Sequence, residues 1–129
     1  MPYELTVRDH FSAAHNLRAY RGKCERLHGH NWNVDLVLEG EDLDGEGMIM
    51  DFVEAKRLLS EVLDRFDHRY LNEVPPFDRL NPSCENLARV IAEALAGRLP
   101  AGVRVAGVRA WESGRCSVTY RPPPEAKEP

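Results

Sequence analysis

The stretch Cys24-Glu25-Arg26-Leu27-His28-Gly29-His30-Asn31-Trp32-Asn33-Val34-Asp35-Leu36-Val37-Leu38-Glu39 decides how this chain is read. Over residues 30–39, Trp32, Val34, Leu36 and Leu38 alternate with Asn31, Asn33, Asp35 and Val37, the period of two that specifies a half-buried strand. If His28 and His30 lie on that strand, both imidazoles point to one face. Two neutral imidazoles side by side suit zinc, which takes nitrogen ligands at about 2.0–2.1 Å. A third candidate, His15, closes Phe11-Ser12-Ala13-Ala14-His15 at the end of an earlier strand pattern. Three histidines leave the fourth tetrahedral position to water or substrate, the arrangement of a catalytic site. A lone His-x-His is more often a pair of turn histidines; the third histidine and the nearby Cys24 favour metal. His10, beside Asp9, reads as an ordinary strand histidine.

Outward from this stretch, residues 3–11 read as a strand with Tyr3, Leu5, Val7 and Asp9 on one side. Residues 16–27 are polar and basic and form a loop. Gly40 through Gly47 is acidic and glycine-rich, a turn or hairpin connection, after which Met48-Ile49-Met50 extends the sheet briefly. Asp51 followed by Glu54 is a capping-box-like helix start. Phe52, Ala55, Leu58, Leu59, Val62, Leu63 and Phe66 then repeat at helical spacing. Residues 71–82 connect to a second helix capped by Ser83, with Leu87, Val90, Ile91, Ala94 and Leu95 as its stripe and Gly97 and Pro100 at its end. Residues 103–111 are an apolar strand, bulged near Gly107, and 115–121 alternate again. The expected order is ββααββ: an α+β domain over residues 1–121, a four-stranded antiparallel sheet with two helices on one face. Residues 122–129 are a proline-rich tail expected to be disordered. The open edges of so small a sheet favour oligomerisation through strands.

Composition narrows the function. The chain has 129 residues, net charge −4 and no basic block, so a nucleic-acid footprint is not supported. No apolar run reaches membrane-spanning length, Met1–Leu5 lacks the regions of a signal peptide, and a cytoplasmic protein is the expectation. Cys24, Cys84 and Cys116 include no Cys-x-x-Cys pair and read as reduced thiols. Cys84 and Cys116 read as small buried hydrophobes. Cys24 differs, because Lys23, Arg26 and the histidines around it favour thiolate.

Other residues carry two readings. Asp67-His68 is either a solvated helix end, the commoner case, or a carboxylate fixing the tautomer of a proton-carrying imidazole. Glu112, after Trp111, is a turn residue or a carboxylate that pairs with a guanidine-like heterocycle edge through two hydrogen bonds. Arg21, Lys23 and Arg26 form a solvated basic loop or attract phosphates.

Six short motifs, in their order and spacing, resemble the 6-pyruvoyl-tetrahydropterin synthase and 6-carboxytetrahydropterin synthase group from about residue 3 to residue 121. They are Phe11–His15, Cys24-x-x-x-His28-Gly29-His30, Met50-Asp51-Phe52, Asp67-His68-x-Tyr70-Leu71-Asn72, Asn81-Pro82-Ser83-Cys84-Glu85-Asn86 and Trp111-Glu112. The resemblance implies a tunnelling fold assembled as a homohexamer, a dimer of trimers, with active sites at subunit interfaces. It implies zinc on His15, His28 and His30, a catalytic Cys24, an acid/base pair in Asp67 and His68, and Glu112 as pterin anchor and proton relay. Ser83, Lys23 and Arg26 are further candidates for contacting a pterin triphosphate substrate.

The three residues between Cys24 and His28 match the carboxy type. The implied reaction converts 7,8-dihydroneopterin triphosphate to 6-carboxy-5,6,7,8-tetrahydropterin, releasing acetaldehyde and triphosphate, on the way to 7-deazaguanines such as queuosine. The alternatives are a pyruvoyl-type synthase, which eliminates triphosphate and keeps the side chain, and a non-catalytic pterin-binding protein with structural zinc. Folate-directed relatives typically carry glutamate in place of the cysteine, which this chain retains. The chain departs from the group in having Cys84, a weak hydrogen-bond donor, where a hydroxyl is usual, and Arg69 where a second histidine often follows Asp-His.

Overall fold

A computed structural model describes residues 2–22 and 25–123; Lys23, Cys24 and most of the expected disordered tail lie outside the described residues. A long hairpin frames the domain. β1 (Tyr3–His15) and β2 (His28–Gly40) run antiparallel, paired from Tyr3↔Gly40 to His15↔His28. β1 extends past residue 11 because Phe11, Ala13 and His15 keep the inward parity of Leu5 and Val7. The alanines on both faces blur that alternation in the sequence.

α1 (Phe52–Leu63) begins where the Asp51 side chain accepts the Val53 N–H. Glu54 pairs with Arg57 rather than closing a capping box. Ala55, Leu58, Leu59, Val62 and Leu63 form the buried stripe, whereas Phe52, expected in it, sits at the first helical position and is exposed. α2 (Cys84–Ala96) is capped by Ser83, whose hydroxyl accepts the Asn86 N–H at 3.2 Å, and buries Leu87, Ala88, Ile91, Ala92 and Leu95. β4 (Val103–Trp111) pairs with β2, and β5 (Ser117–Tyr120) with β4. The register steps from Val37↔Gly107 to Leu38↔Val105, so Ala106 is the extra residue of the expected bulge.

The sheet has five strands and is mixed, which corrects the four-stranded antiparallel expectation. β3 (Arg69–Tyr70) lies parallel to β1, with Ala13↔Arg69 and Ala14↔Tyr70, giving the order β3-β1-β2-β4-β5. Two residues are too few to express a period, so this strand left no pattern to read. Met48–Met50 adds no strand, although Met50 joins the core. α1 packs on β1, α2 on β4 and β5, and the helices touch each other, so both cover one face. Between the layers Phe11 stacks on Trp32 with centroids 6.0 Å apart and meets Phe66 at 5.9 Å. Each such buried side chain contributes about 1.5–3 kcal/mol of transfer free energy.

The thiols divide. Cys84 is half-buried and donates to the Ala110 carbonyl at 3.1 Å; burial pushes it up to about 11. Cys116 is exposed, contrary to expectation, because it lies in the turn before β5 where only its carbonyl is engaged, by the Glu112 N–H.

Candidate metal and catalytic site

The hairpin register assembles the histidines. His15 and His28 are direct cross-strand partners, and His30 opposes Ala13, so all three side chains leave the sheet on one face at one end. His15 is buried, while His28 and His30 are partly exposed. The β2–β4 register, ending at Asn33↔Trp111, delivers Glu112 to the same place. Its Oε1 stands 3.0 Å from His30 Nε2, 3.3 Å from His15 Nε2 and 4.0 Å from His28 Nε2.

The tautomers follow from the outer partners. His15 Nδ1 is 2.8 Å from the Pro82 carbonyl and His28 Nδ1 is 2.8 Å from the Arg26 carbonyl. A carbonyl only accepts, so each Nδ1 carries the proton and each Nε2 presents a lone pair. Those two lone pairs face each other at 3.0 Å. A metal ion shared by both nitrogens would satisfy such an approach. His30 Nε2 is buried with no well-aligned hydrogen-bond partner, Glu112 notwithstanding, and burial lowers the His30 pKa. Four donors at about 2.0–2.1 Å from a tetrahedral centre stand about 3.3–3.4 Å apart. The three nitrogens and one carboxylate oxygen all lie within 4.8 Å of one another. The donor set fits a metal ion of the zinc type, and the carbonyls behind two of the ligands are the outer partners such a site uses.

The sequence reading gave Glu112 a pterin-anchoring and proton-relay role and assigned it no place beside the three histidines. Its carboxylate faces the imidazoles. The strand register carries this information, but a register has to be known before it can be used.

Asp67 and His68 do touch. His68 Nδ1 lies 3.0 Å from Asp67 Oδ2, and Asp67 Oδ1 accepts the Ser12 N–H at 2.9 Å. The Ser12 N–H and the His68 ring hold the Asp67 carboxyl below its usual range. His68 adopts a left-handed conformation, φ 59°, with its own N–H on the Ser12 carbonyl at 2.6 Å. Its ring is largely exposed. An open hollow of about 350 Å³ beside His68 is lined by Ser12, Ala13, Gly29, His30, Asn31 and His68.

The remaining candidates separate. The Ser83 hydroxyl is engaged as a helix cap. The Arg26 side chain is exposed, and its carbonyl is the part that acts on the cluster. Lys23 and Cys24 lie outside the described residues. Sequence reasoning assigned no role to the Pro82 carbonyl, which bonds the His15 ring, or to Asn16, Asn72 and Asn81, which are joined in the segment that follows His15.

Comparison with known proteins agrees with this geometry. The family described as 6-pyruvoyl tetrahydropterin synthase matches residues 4–123. The dihydroneopterin monophosphate aldolase of Pyrococcus furiosus is 33% identical, covering 92% of this chain and 96% of that protein. The 6-carboxy-5,6,7,8-tetrahydropterin synthase of Bacillus subtilis is 36% identical, over 69% of this chain and 62% of that protein. Among solved structures, Caenorhabditis elegans 6-pyruvoyl tetrahydropterin synthase superposes with a TM-score of 0.82 at 30% identity, covering 95% of this chain and 97% of that one. Among the described residues, no helix is long and apolar enough to cross a membrane.

Proposed function

Because this chain belongs to the 6-pyruvoyl tetrahydropterin synthase family of pterin-processing enzymes, we propose that it converts 7,8-dihydroneopterin triphosphate to 6-carboxy-5,6,7,8-tetrahydropterin, releasing acetaldehyde and triphosphate. The observation that carries a catalytic reading is the convergence of His15, His28, His30 and Glu112, whose donor atoms lie within 4.8 Å of one another at one end of the sheet. The retained Cys24 and its three-residue spacing to His28 support the carboxy-type reaction.

His15, His28 and His30 hold the metal, zinc in this reading. When bound, it supplies Lewis acidity toward the side-chain oxygens of the substrate, easing loss of a proton from carbon. Asp67 keeps the proton of His68 on Nδ1, so Nε2 is the nitrogen that exchanges protons with substrate. Cys24 is the second proton carrier, acting as thiolate. Glu112 leaves the imidazoles to accept two hydrogen bonds from the guanidine-like edge of the pterin, which orients the side chain toward these groups. Ser83, Lys23 and Arg26 remain candidate substrate contacts. The active unit is a homohexamer whose open sheet edges meet between subunits.

A second reading has its own support in the coverage of the Pyrococcus furiosus aldolase. Retro-aldol cleavage of a dihydroneopterin phosphate breaks the same C1′–C2′ bond but leaves a hydroxymethyl pterin and a phosphorylated two-carbon aldehyde. Anaerobic incubation of the zinc-loaded protein with dihydroneopterin mono- and triphosphate, followed by mass spectrometry, separates the outcomes. Carboxytetrahydropterin plus acetaldehyde is the expected result. A hydroxymethyl pterin moves the chain to the aldolase, and a product retaining all three side-chain carbons moves it to the pyruvoyl type. No conversion by metal-loaded protein overturns the enzymatic reading.

A further inference from the structure

Two asparagines from motifs singled out in the sequence, Asn72 of Tyr70-Leu71-Asn72 and Asn81 of Asn81-Pro82-Ser83, have no part in the chemistry above. Their side chains close on the segment 16–18, the three residues that follow His15. Asn72 Oδ1 accepts the Asn16 N–H at 3.0 Å while Asn72 Nδ2 donates to the Asn16 carbonyl at 2.8 Å. Two residues on, Asn81 Oδ1 accepts the Arg18 N–H at 2.7 Å while Asn81 Nδ2 reaches the Arg18 carbonyl at 3.4 Å. Each carboxamide thus offers one acceptor and one donor to one residue's backbone, the same pair of groups that a neighbouring strand would offer.

The spacing completes a series. Along one edge of β1, Ser12 is bonded by Asp67 and the His68 N–H, Ala14 is paired with Tyr70 of β3, Asn16 is held by the Asn72 amide and Arg18 by the Asn81 amide. Every second residue from 12 to 18 has a partner, first backbone and then side chain. The opposite edge is closed at Leu17, whose N–H reaches Glu25 Oε1 at 3.2 Å and whose carbonyl accepts the Glu25 N–H at 2.8 Å. The Tyr70 hydroxyl and the Glu25 carbonyl engage the Asn16 side chain. The Arg18 guanidinium donates to the carbonyls of Asn72, Phe77 and Leu80.

We propose that Asn72 and Asn81 are positioning residues for the metal centre, a two-rung side-chain ladder that prolongs β1 beyond its last ligand. The inference rests on the reading of the histidines as a metal site and deepens it. Asn81 fixes the chain immediately before Pro82, whose carbonyl sets the His15 tautomer. Asn72 fixes Asn16, adjacent to His15, and through Glu25 the entry to His28. Without the ladder His15 loses one constraint on each side, and its Nε2 no longer meets those of His28 and His30 at ligand distance. Outer partners of metal ligands are worth about 10–100-fold in affinity.

The test uses the full chain stripped of metal and titrated with Co²⁺, whose visible spectrum reports coordination geometry, alongside Zn²⁺ competition. Measurements are made well below the unfolding temperature of each variant. Asn72→Ala and Asn81→Ala are each expected to weaken Zn²⁺ binding by about 10–100-fold and to alter the Co²⁺ absorption. Asn81→Asp, which keeps the acceptor of the shorter rung, recovers part of the affinity. Tyr70→Phe, which removes one hydroxyl from the same network, gives a smaller weakening and guards against a variant that fails to fold. Unchanged affinity and spectrum in folded Asn72→Ala and Asn81→Ala, with only a lower melting temperature, overturn the proposal. Wild-type protein that takes up neither ion overturns the metal reading itself, which separates the two failures.

Discussion

Asp67 is held by two groups with different demands: the Ser12 N–H requires only an acceptor, whereas the His68 ring responds to negative charge. Asp67→Asn retains the first interaction and loses the second. Turnover is expected to fall by about 10²–10⁴-fold, the usual worth of a positioned acid/base, with little change in melting temperature at neutral pH. The acid limb carries the sign. The folded pKa of Asp67 lies below its ordinary value of 3.8, so the stabilisation is complete above that value and is lost as pH falls through the depressed pKa. Melting temperature measured against pH should therefore decline less steeply below about pH 4 in Asp67→Asn than in the wild type. An unchanged acid limb would show that the Ser12 and His68 contacts do not discriminate the charged carboxylate.

At the scale of elements, Ser83 separates a helix cap from a substrate contact. As the cap of α2 it satisfies one N–H that has no intrahelical partner. Ser83→Ala should cost about 0.5–2 kcal/mol in denaturant unfolding, and Ser83→Asp should restore most of it. A change in KM for the pterin with unchanged stability would instead return Ser83 to substrate binding. This helix and its partner were legible because Asp51 and Ser83 precede apolar stripes of helical period, and β2 because its alternation is nearly unbroken. β3 was illegible at two residues, and the end of β1 was obscured by Ala13 and Ala14. The histidines were legible as neighbours because His28 and His30 share a parity and His15 ends a strand. Glu112 as their fourth companion was not, since its place depends on which residue of β4 faces Asn33. The asparagine ladder was hidden for a related reason: its rungs join residues more than fifty positions apart.

The whole molecule has one helix-covered face and one bare face. The bare face carries paired charges, with Arg8 on Asp35, Arg104 on Glu39, and the Arg109 guanidinium 4.2 Å from the Trp111 ring centre. Its edges are the two-residue β3 and the four-residue β5. Short edges limit indiscriminate pairing while leaving backbone groups for a specific partner. Sedimentation equilibrium is expected to give six times the chain mass of 14.7 kDa, with trimers on mild dissociation. A monomer that turns over substrate at the same rate would overturn the interface-built active site.

The antiparallel register of β1 and β2 has an evolutionary consequence. His15 opposes His28 whatever length of chain joins them. Residues 19–22 fall outside the clasped segment and include left-handed Ala19, Arg21 and Gly22. Inserting or deleting residues there leaves the register of the ligands unchanged, whereas a one-residue insertion within β1 would turn His15 to the opposite face. The turn is an exchangeable cassette on a fixed chassis, free to change in length and sequence while the histidine geometry stays constant.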